Sequence, residues 1–327
     1  MRFVFILMFL LLPGAAFADV ALSPFYSRNL SPVVNVFGLP AVERGALVPE
    51  GVVEGRLVLE AANNFTVNAS DREAIVLDGE TYRNILAARW GVGKRMELGV
   101  DLPVVFHDGG VFDGFIENWH ETFDLPGGGR GGAVEDRLLY AYSRSGEERL
   151  AIREETGGLG DVSLKLGWQL HSQEMEGRES ALSLRASLKL PTGDSDSLRG
   201  SGATDAALHL NWERQQRRHA FFASFGGLYL GEGDVLPELQ EDWVAFGSLG
   251  AAWKAFSSLA LKIQLDGHTP FYKRTDLREL GDPSIQLLLG GTLALPGETM
   301  LDLGVSEDIA VDTAPDVVFH LALLRRF

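Results

Sequence analysis

The stretch Ala181–Gly193, ALSLRASLKLPTG, decides the reading of this sequence. Leu182, Leu184, Ala186, Leu188 and Leu190 alternate with Ser183, Arg185, Ser187 and Lys189. In an extended chain successive side chains point to opposite faces, so one face here is aliphatic and the other carries two cations. The pattern recurs. DVSLKLGWQL sets Val162, Leu164, Leu166, Trp168 and Leu170 against Lys165 and Gln169, and LALKIQLDGH sets Leu259, Leu261, Ile263 and Leu265 against Lys262, Gln264 and Asp266. RMELGVDLPVVF and MLDLGVSE repeat it from Met96 and Leu301. Period-two segments of about ten residues, with turns between, predict an all-β chain.

Two architectures share that alternation. A soluble sandwich turns its apolar face inward, and a transmembrane barrel turns it to lipid around a polar interior. Loop lengths separate the two. Strands are expected over 52–66, 81–92, 94–106, 159–170, 181–191, 203–213, 219–230, 242–254, 259–268, 284–295, 299–306 and 316–327, about twelve in all. Their connections alternate between short (Gly93, HSQEMEGRES, ERQQRRH, KAFSS, LPGE) and long (67–80, 107–158, TGDSDSLRGSG and those that follow). An even strand number with short turns on one side and long loops on the other is the pattern of a closed antiparallel outer-membrane barrel.

The ends agree with this. MRFVFILMFLLLPGAAFA has a basic residue, a short apolar run and a small-residue end, so a cleaved signal peptide over 1–18 is expected, with the cut near Ala18. The chain closes on DVVFHLALLRRF, whose Phe319, Leu321 and Leu323 share the parity of Phe327. A C-terminal aromatic of this kind is expected to serve as the insertion signal. Arg325 breaks the pattern and is expected to snorkel towards head groups. The chain has no cysteine, and its formal charge of −16 argues against a nucleic-acid partner.

By parity the lumen is expected to be lined by Glu54, Arg56, Glu60, Arg89, Arg95, Glu97, Asp101, Lys165, Arg185, Lys189, Asp205, His209, Lys262, Asp266 and Asp302. Both signs are present, which fits a salt-bridged filling and a hydrated solute path equally well. No ring of one sign stands out, so strong ion selectivity is not expected. In the long loop 107–158, Phe112, Phe115, Ile116, Trp119 and Phe123 have helical spacing and form a candidate constriction or mouth. The following DRLLYAYSRSGEERLAIRE is expected to be a hairpin turning at Ser145-Gly146. Residues 19–50 carry several prolines and no clean strand, so a lead-in below the barrel and a plug inside it both remain open.

Several pieces, RNLSPVVNVFGLP (28–40), LEAANNF (59–65), FIENWHETFDLP (115–126), GGLGDVSLKLGWQL (157–170) and SLKLPTGD (187–194), resemble a bacterial outer-membrane barrel family of unknown function. That family is related to the MetA-pathway phenol-degradation barrels, and more loosely to channels of the fatty-acid-transporter type. The resemblance implies a barrel in the outer membrane and no demonstrated substrate. It carries over no catalytic residue.

Little in the sequence points to an enzyme. His209 and Asn211 share a face without a serine between them, and His107, His120 and His320 have no local partners. GGGRGG (127–132) lacks the lysine and helix of a phosphate cradle. Asp194, Asp196 and Asp205 are candidates for bridging divalent ions, though solvated acidic loops are the common case. No cofactor or resident metal is expected. The expected partners are outer-membrane lipid, lipopolysaccharide, the barrel-insertion machinery and a small-molecule solute. The domain plan is a signal peptide (1–18), a lead-in or plug (19–50) and a barrel (51–327). The functional expectation is a passive channel for a small, hydrophobic-leaning solute, with a non-conducting surface barrel as the alternative and a lipid-modifying enzyme as a minor one.

Overall fold

In a computed structural model, which describes residues 19–110, 137–310 and 313–327, the strands close into a ring. In chain order they are β1 (Val53–Ala69), β2 (Glu73–Gly93), β3 (Met96–Asp108), β4 (Leu139–Arg144), β5 (Glu147–Ile152), β6 (Thr156–Leu159), β7 (Ser163–Met175), β8 (Arg178–Lys189), β9 (Asp205–Gln216), β10 (His219–Tyr229), β11 (Trp243–Phe256), β12 (Leu259–His268), β13 (Ser284–Leu295), β14 (Thr299–Ala310) and β15 (Val317–Arg326). Twelve of them form the wall: β1 to β3, then β7 to β15, each antiparallel to its neighbour. β15 pairs back to β1 from Glu54↔Arg326 to Asn63↔Val317, so no wall edge is left open to lipid. Closure matters because unpaired backbone amides in hydrocarbon cost several kcal/mol each.

The connections alternate as the spacing predicts. At one end the strands turn through two or three residues, Lys94-Arg95, Glu176-Gly177, Arg217-Arg218, Ser257-Ser258 and 296–298. At the other end the connections are long. The outer wall is aliphatic and aromatic: Leu164, Leu210, Phe225, Leu249 and Ile263 face away from the barrel and are exposed. Trp90, Trp168, Trp212 and Trp253 ring the short-turn end, and Tyr229 lies beside Trp243 at the long-loop end, with ring centroids 5.1 Å apart and planes tilted by 58°. Two such girdles bound an apolar band in a membrane-spanning barrel.

Several boundaries differ from the sequence reading: β7 and β8 take up most of HSQEMEGRES, β14 runs on to Ala310, and two further differences bear on the lumen and the rim. The stretch 67–80 is not a loop: β1 and β2 continue above the band as a hairpin, paired to Ala69↔Ala74, and turn at 70–72. That extension pairs on its far side with the β4–β5 hairpin (Glu73↔Arg144 to Asp78↔Leu139), whose tip is Ser145-Gly146 with both residues at positive φ. Arg95, expected in the lumen, sits instead in the turn before β3 and is exposed, because β3 begins one residue later, at Met96. The signal peptide and the candidate aromatic helix Phe112, Phe115, Ile116, Trp119 and Phe123 lie outside the described residues.

The largest apolar core lies over the long-loop end rather than in the barrel shaft. Tyr140, Tyr142, Leu236, Leu239, Phe271 and Tyr272 pack there with Val33, Phe37 and Leu39 from the N-terminal segment. That segment contributes a one-turn helix, α1 (Pro32–Asn35), and a second short helix, α2 (Arg278–Gly281), sits in the loop before β13.

Candidate functional site

Residues 19–50 run inside the barrel. The path starts at the short-turn end, where Val20 N–H donates to Ser257 O and Asp19 pairs with Lys254 (2.9 Å). It climbs past Phe25 and Ser27 to Asn29, whose amide lies 2.9 Å from the His268 ring. α1 turns the chain under the outer dome, where Tyr272 donates to Val33 O (2.7 Å). The chain then descends past Glu43 to Glu50, which bridges to Gly91 beside the start of β1. Arg28 holds the rising and falling arms together by donating to Leu39 O (2.9 Å), Phe37 O (2.8 Å) and Asn35 O (2.5 Å).

An irregular segment has no ladder to satisfy its backbone, and buried amides must find partners. The wall supplies them from inward-facing side chains. Phe25 N–H donates to Gln264 Oε1 (2.8 Å), Gly38 N–H to Asp205 (2.8 Å), Leu47 N–H to Gln169 (2.9 Å) and Val48 N–H to Glu97 (2.7 Å). Gly45 N–H reaches Glu213, which also receives the Arg44 guanidinium (3.1 Å). Several of the polar residues read from the sequence as lumen lining therefore stand in for a missing β-partner.

The charged contacts concentrate at mid-height. Glu43 accepts from Arg89 (3.0 Å) and Lys165 (2.8 Å), with Arg185 at 3.8 Å. Asp101 sits between Arg89 (2.8 Å) and Lys165 (3.1 Å), and Arg185 pairs with Glu97 (3.3 Å). On the next sector Lys262 pairs with Asp302 (2.9 Å) and lies 3.9 Å over the Phe25 ring, and Asp266 accepts from Ser27 (2.7 Å). Glu54 binds Arg56 and Arg326 near the short-turn rim, and Glu60 meets His320 at 3.0 Å. His209 is buried on β9 beside Phe246, and neither ring nitrogen has a hydrogen-bond partner among the described residues.

Near the outer rim Lys189 reaches Asp161 (2.6 Å), Asp205 (3.2 Å), Ser201 and Val36 O (3.3 Å). Asp161 also accepts from the backbone of Gly193 and Ser201. The three acids weighed as cation ligands go different ways. Asp194 is held by Ser197 and Arg199, hydrogen bonds that draw its carboxyl below the usual range, Asp196 is exposed and donates its backbone N–H to Asp194, and Asp205 is taken up by Lys189 and Gly38.

Two voids flank Tyr26, one against Arg28, Arg83 and Lys165 and one against Glu43, Arg56 and Arg89, each of about 10 Å3, room for about one water molecule. Arg325, at the far end of β15, turns its guanidinium over the Phe327 ring at 5.2 Å.

The sequence shows the inward polar positions but not what they hold. The signal was present in RNLSPVVNVFGLP and in the isolated Tyr26, but neither names its partners.

The model of the family described as Protein of unknown function (DUF3187) matches residues 3–327. Among solved structures, the COG4313 outer membrane channel from Pseudomonas putida F1 superposes with a TM-score of 0.55 at 13% identity, over 86% of this chain and 97% of that one. Looser superpositions reach the CymD monoaromatic hydrocarbon channel (TM-score 0.36, 11% identity, 86% of this chain and 89% of that one). They also reach the P. putida toluene transporter TodX (TM-score 0.37, 12% identity, 85% and 89%). The first likeness establishes a shared barrel fold. No curated protein sequence matches the chain.

Proposed function

We propose that this chain, which belongs to the DUF3187 family, is an outer-membrane channel of a Gram-negative envelope, closed at rest by its own residues 19–50. In this reading the signal peptide is removed near Ala18, Phe327 directs insertion, the short turns face the periplasm and the long loops face outward.

One observation carries the reading. The occluding segment enters and leaves by the same end of the barrel, at Val20 and at Glu50, and is held between by hydrogen bonds and ion pairs to the wall. Such a segment can withdraw towards the periplasm without breaking any wall ladder. The wall it would leave carries inward polar side chains on most strands, β10 and β11 being largely apolar, where Ala220, Phe222, Leu228, Val244, Phe246 and Ala252 face in, and polar lining is what a hydrated solute path requires. A non-conducting surface barrel is the second reading, favoured by the apolar dome that seals the outer end over Val33 and Phe37. An enzymatic role has the least support, since His209 is buried on the inner face, away from lipid.

Conductance separates the two readings. Full-length protein in a planar bilayer is expected to pass little current, and a variant lacking residues 20–48 to pass a steady one. Equal, negligible current from both would support the closed barrel and end the channel reading. A heat-sensitive shift in gel mobility shows in each case that the barrel has folded.

A further inference from the structure

Arg83 differs from the other cations inside the barrel. It faces inward from β2, is 6% exposed, and has neither a hydrogen bond nor an ion pair among the described residues. The other buried lysines and arginines among those residues, Arg89, Lys165, Arg185, Lys189 and Lys262, each have a carboxylate within 3.3 Å. Glu60, the cross-strand neighbour of Arg83 on β1, is turned to His320 at 3.0 Å. A buried charge without a partner is costly enough that folds rarely keep one.

Arg83 borders the first of the two voids beside Tyr26. Arg28, on the rising arm of the closing segment, borders the same void. Its Nη groups hold the falling arm, while its Nε–H is buried without a partner. Lys165 reaches the void from β7, and Ser163 and Ser187 add hydroxyls. Asp101 is the one carboxylate among the described residues of the lining, and its oxygens are already taken by Tyr26, Arg89 and Lys165. The void is therefore walled by donors, three cations against one engaged carboxylate. A water molecule would fit, but it brings no charge to offset the two guanidiniums. A halide ion is little larger than water, accepts hydrogen bonds from every side and supplies the missing negative charge.

We infer that this void is a binding site for one small inorganic anion, of the size and charge of chloride, which latches Arg28 of the closing segment to Arg83 of the wall. The binding site is independent of transport; its role as a latch rests on the channel reading above. Arg28 leaves with the segment, so the complete site exists only while the segment is seated. A ligand that binds one of two states stabilises that state as its concentration rises above its Kd. Chloride thus holds the segment in place, and its removal loosens it. Gluconate carries the same charge but is far too large for a space of one water, so it separates binding from general screening by salt.

The test uses the full mature chain. Bromide stands in for chloride, since anomalous X-ray scattering locates it in crystals of the protein. A bromide peak within hydrogen-bond reach of Arg28 and Arg83 is expected in wild type, and none there in Arg83→Gln. In detergent at fixed ionic strength, trypsin cleavage at Arg28 and Arg44 is expected to be at least threefold slower in sodium chloride than in sodium gluconate. Arg83→Gln is expected to abolish that difference, and a free peptide substrate controls for salt effects on the protease. An empty void with Arg83 swung onto Glu60 overturns the inference. So does bromide found only at the exposed basic turns, an adventitious ion only, or a peak in the void that survives Arg83→Gln. A peak without a chloride effect on cleavage overturns the latch. Should Arg83→Gln not fold, the wild-type map and the wild-type salt comparison decide. The channel reading has its own readout. If the 20–48 deletion conducts but bromide finds no site, the anion falls and the channel stands; a bromide site and a chloride effect without conductance in the deletion give the reverse.

Discussion

Asp161 and Lys189 meet at 2.6 Å at the outer rim of the barrel, joining the GLGD and KLPTGD strings of the sequence. The contact also gathers a third string. Lys189 reaches Val36 O, and Asp205, on the far side of the lysine, accepts from Gly38 N–H, so the tip of RNLSPVVNVFGLP is clasped by the other two. Three of the five pieces that give this sequence its family resemblance are thus one assembly, a closing segment and the rim that grips it.

Lys189→Met is therefore expected to leave two buried carboxylates, Asp161 and Asp205, without their cation. Removing one partner of a buried pair costs about 3–5 kcal/mol. Because the contact spans wall and segment, both barrel stability and seating of the segment should suffer. Urea unfolding from liposomes and trypsin cleavage within residues 19–50 report the two effects. Unchanged proteolysis would show that the clasp holds only the rim loop.

Glu43→Gln should act on the closing segment alone. Its carboxylate accepts from Arg89 and Lys165, while Asp101 and Glu97 remain on the wall to accompany the cations. The cost falls on the seated state, since an open lumen hydrates the wall groups. A loss of only about 1.4 kcal/mol shifts the opening equilibrium tenfold. Single-channel recording is expected to show openings at least tenfold more frequent than wild type, with the unfolding midpoint little changed.

Gly91→Val tests how closely the segment must pass the wall on its way out. A Cβ on Gly91 would come within 2.1 Å of Pro49 O, a backbone atom that cannot swing aside. The expected result is a folded barrel in which residues 48–50 are displaced and the Glu50↔Gly91 bridge is lost. Hydrogen exchange should rise at Val48, whose amide is otherwise tied to Glu97. Unaltered protection there would mean that the descending arm has slack.

The wall was legible because lipid imposes a strict two-residue period on every strand that crosses it, and segments such as 259–268 and 284–295 keep their expected limits. Legibility ended where that constraint ends. Above the apolar band, Asn68, Ser70 and Asp71 read as loop, yet Val67 and Val76 are still paired, because the extension is stabilised by β4 rather than by alternation. The two-residue period of β3 continues in the sequence through Lys94 and Arg95, which the protein uses for a turn. Residues 19–50 gave no period at all, since their partners are side chains on strands far away in sequence, such as Gln264 for Phe25. The contacts of Glu43 were hidden for the same reason: Arg89, Lys165 and Arg185 are each visible as inward-facing, and only the closed ring brings them onto one carboxylate.

The orientation of the wall is open to a direct test. Trp90, Trp168, Trp212, Trp243 and Trp253 all point outward and are at least 38% exposed, near the ends of the apolar band. In liposomes, lipids brominated close to the head group should quench tryptophan emission more than lipids brominated near the chain ends. Ile263, 48% exposed at mid-strand on β12, sits where hydrocarbon is expected. Arginine near the midplane of a barrel's lipid face costs about 2–4 kcal/mol. Ile263→Arg should lower unfolding stability from liposomes by that amount, whereas a leucine at the same site should be nearly neutral because it keeps the apolar surface. Emission indifferent to bromine, together with an arginine tolerated at 263, would place these side chains in water and undo the membrane barrel.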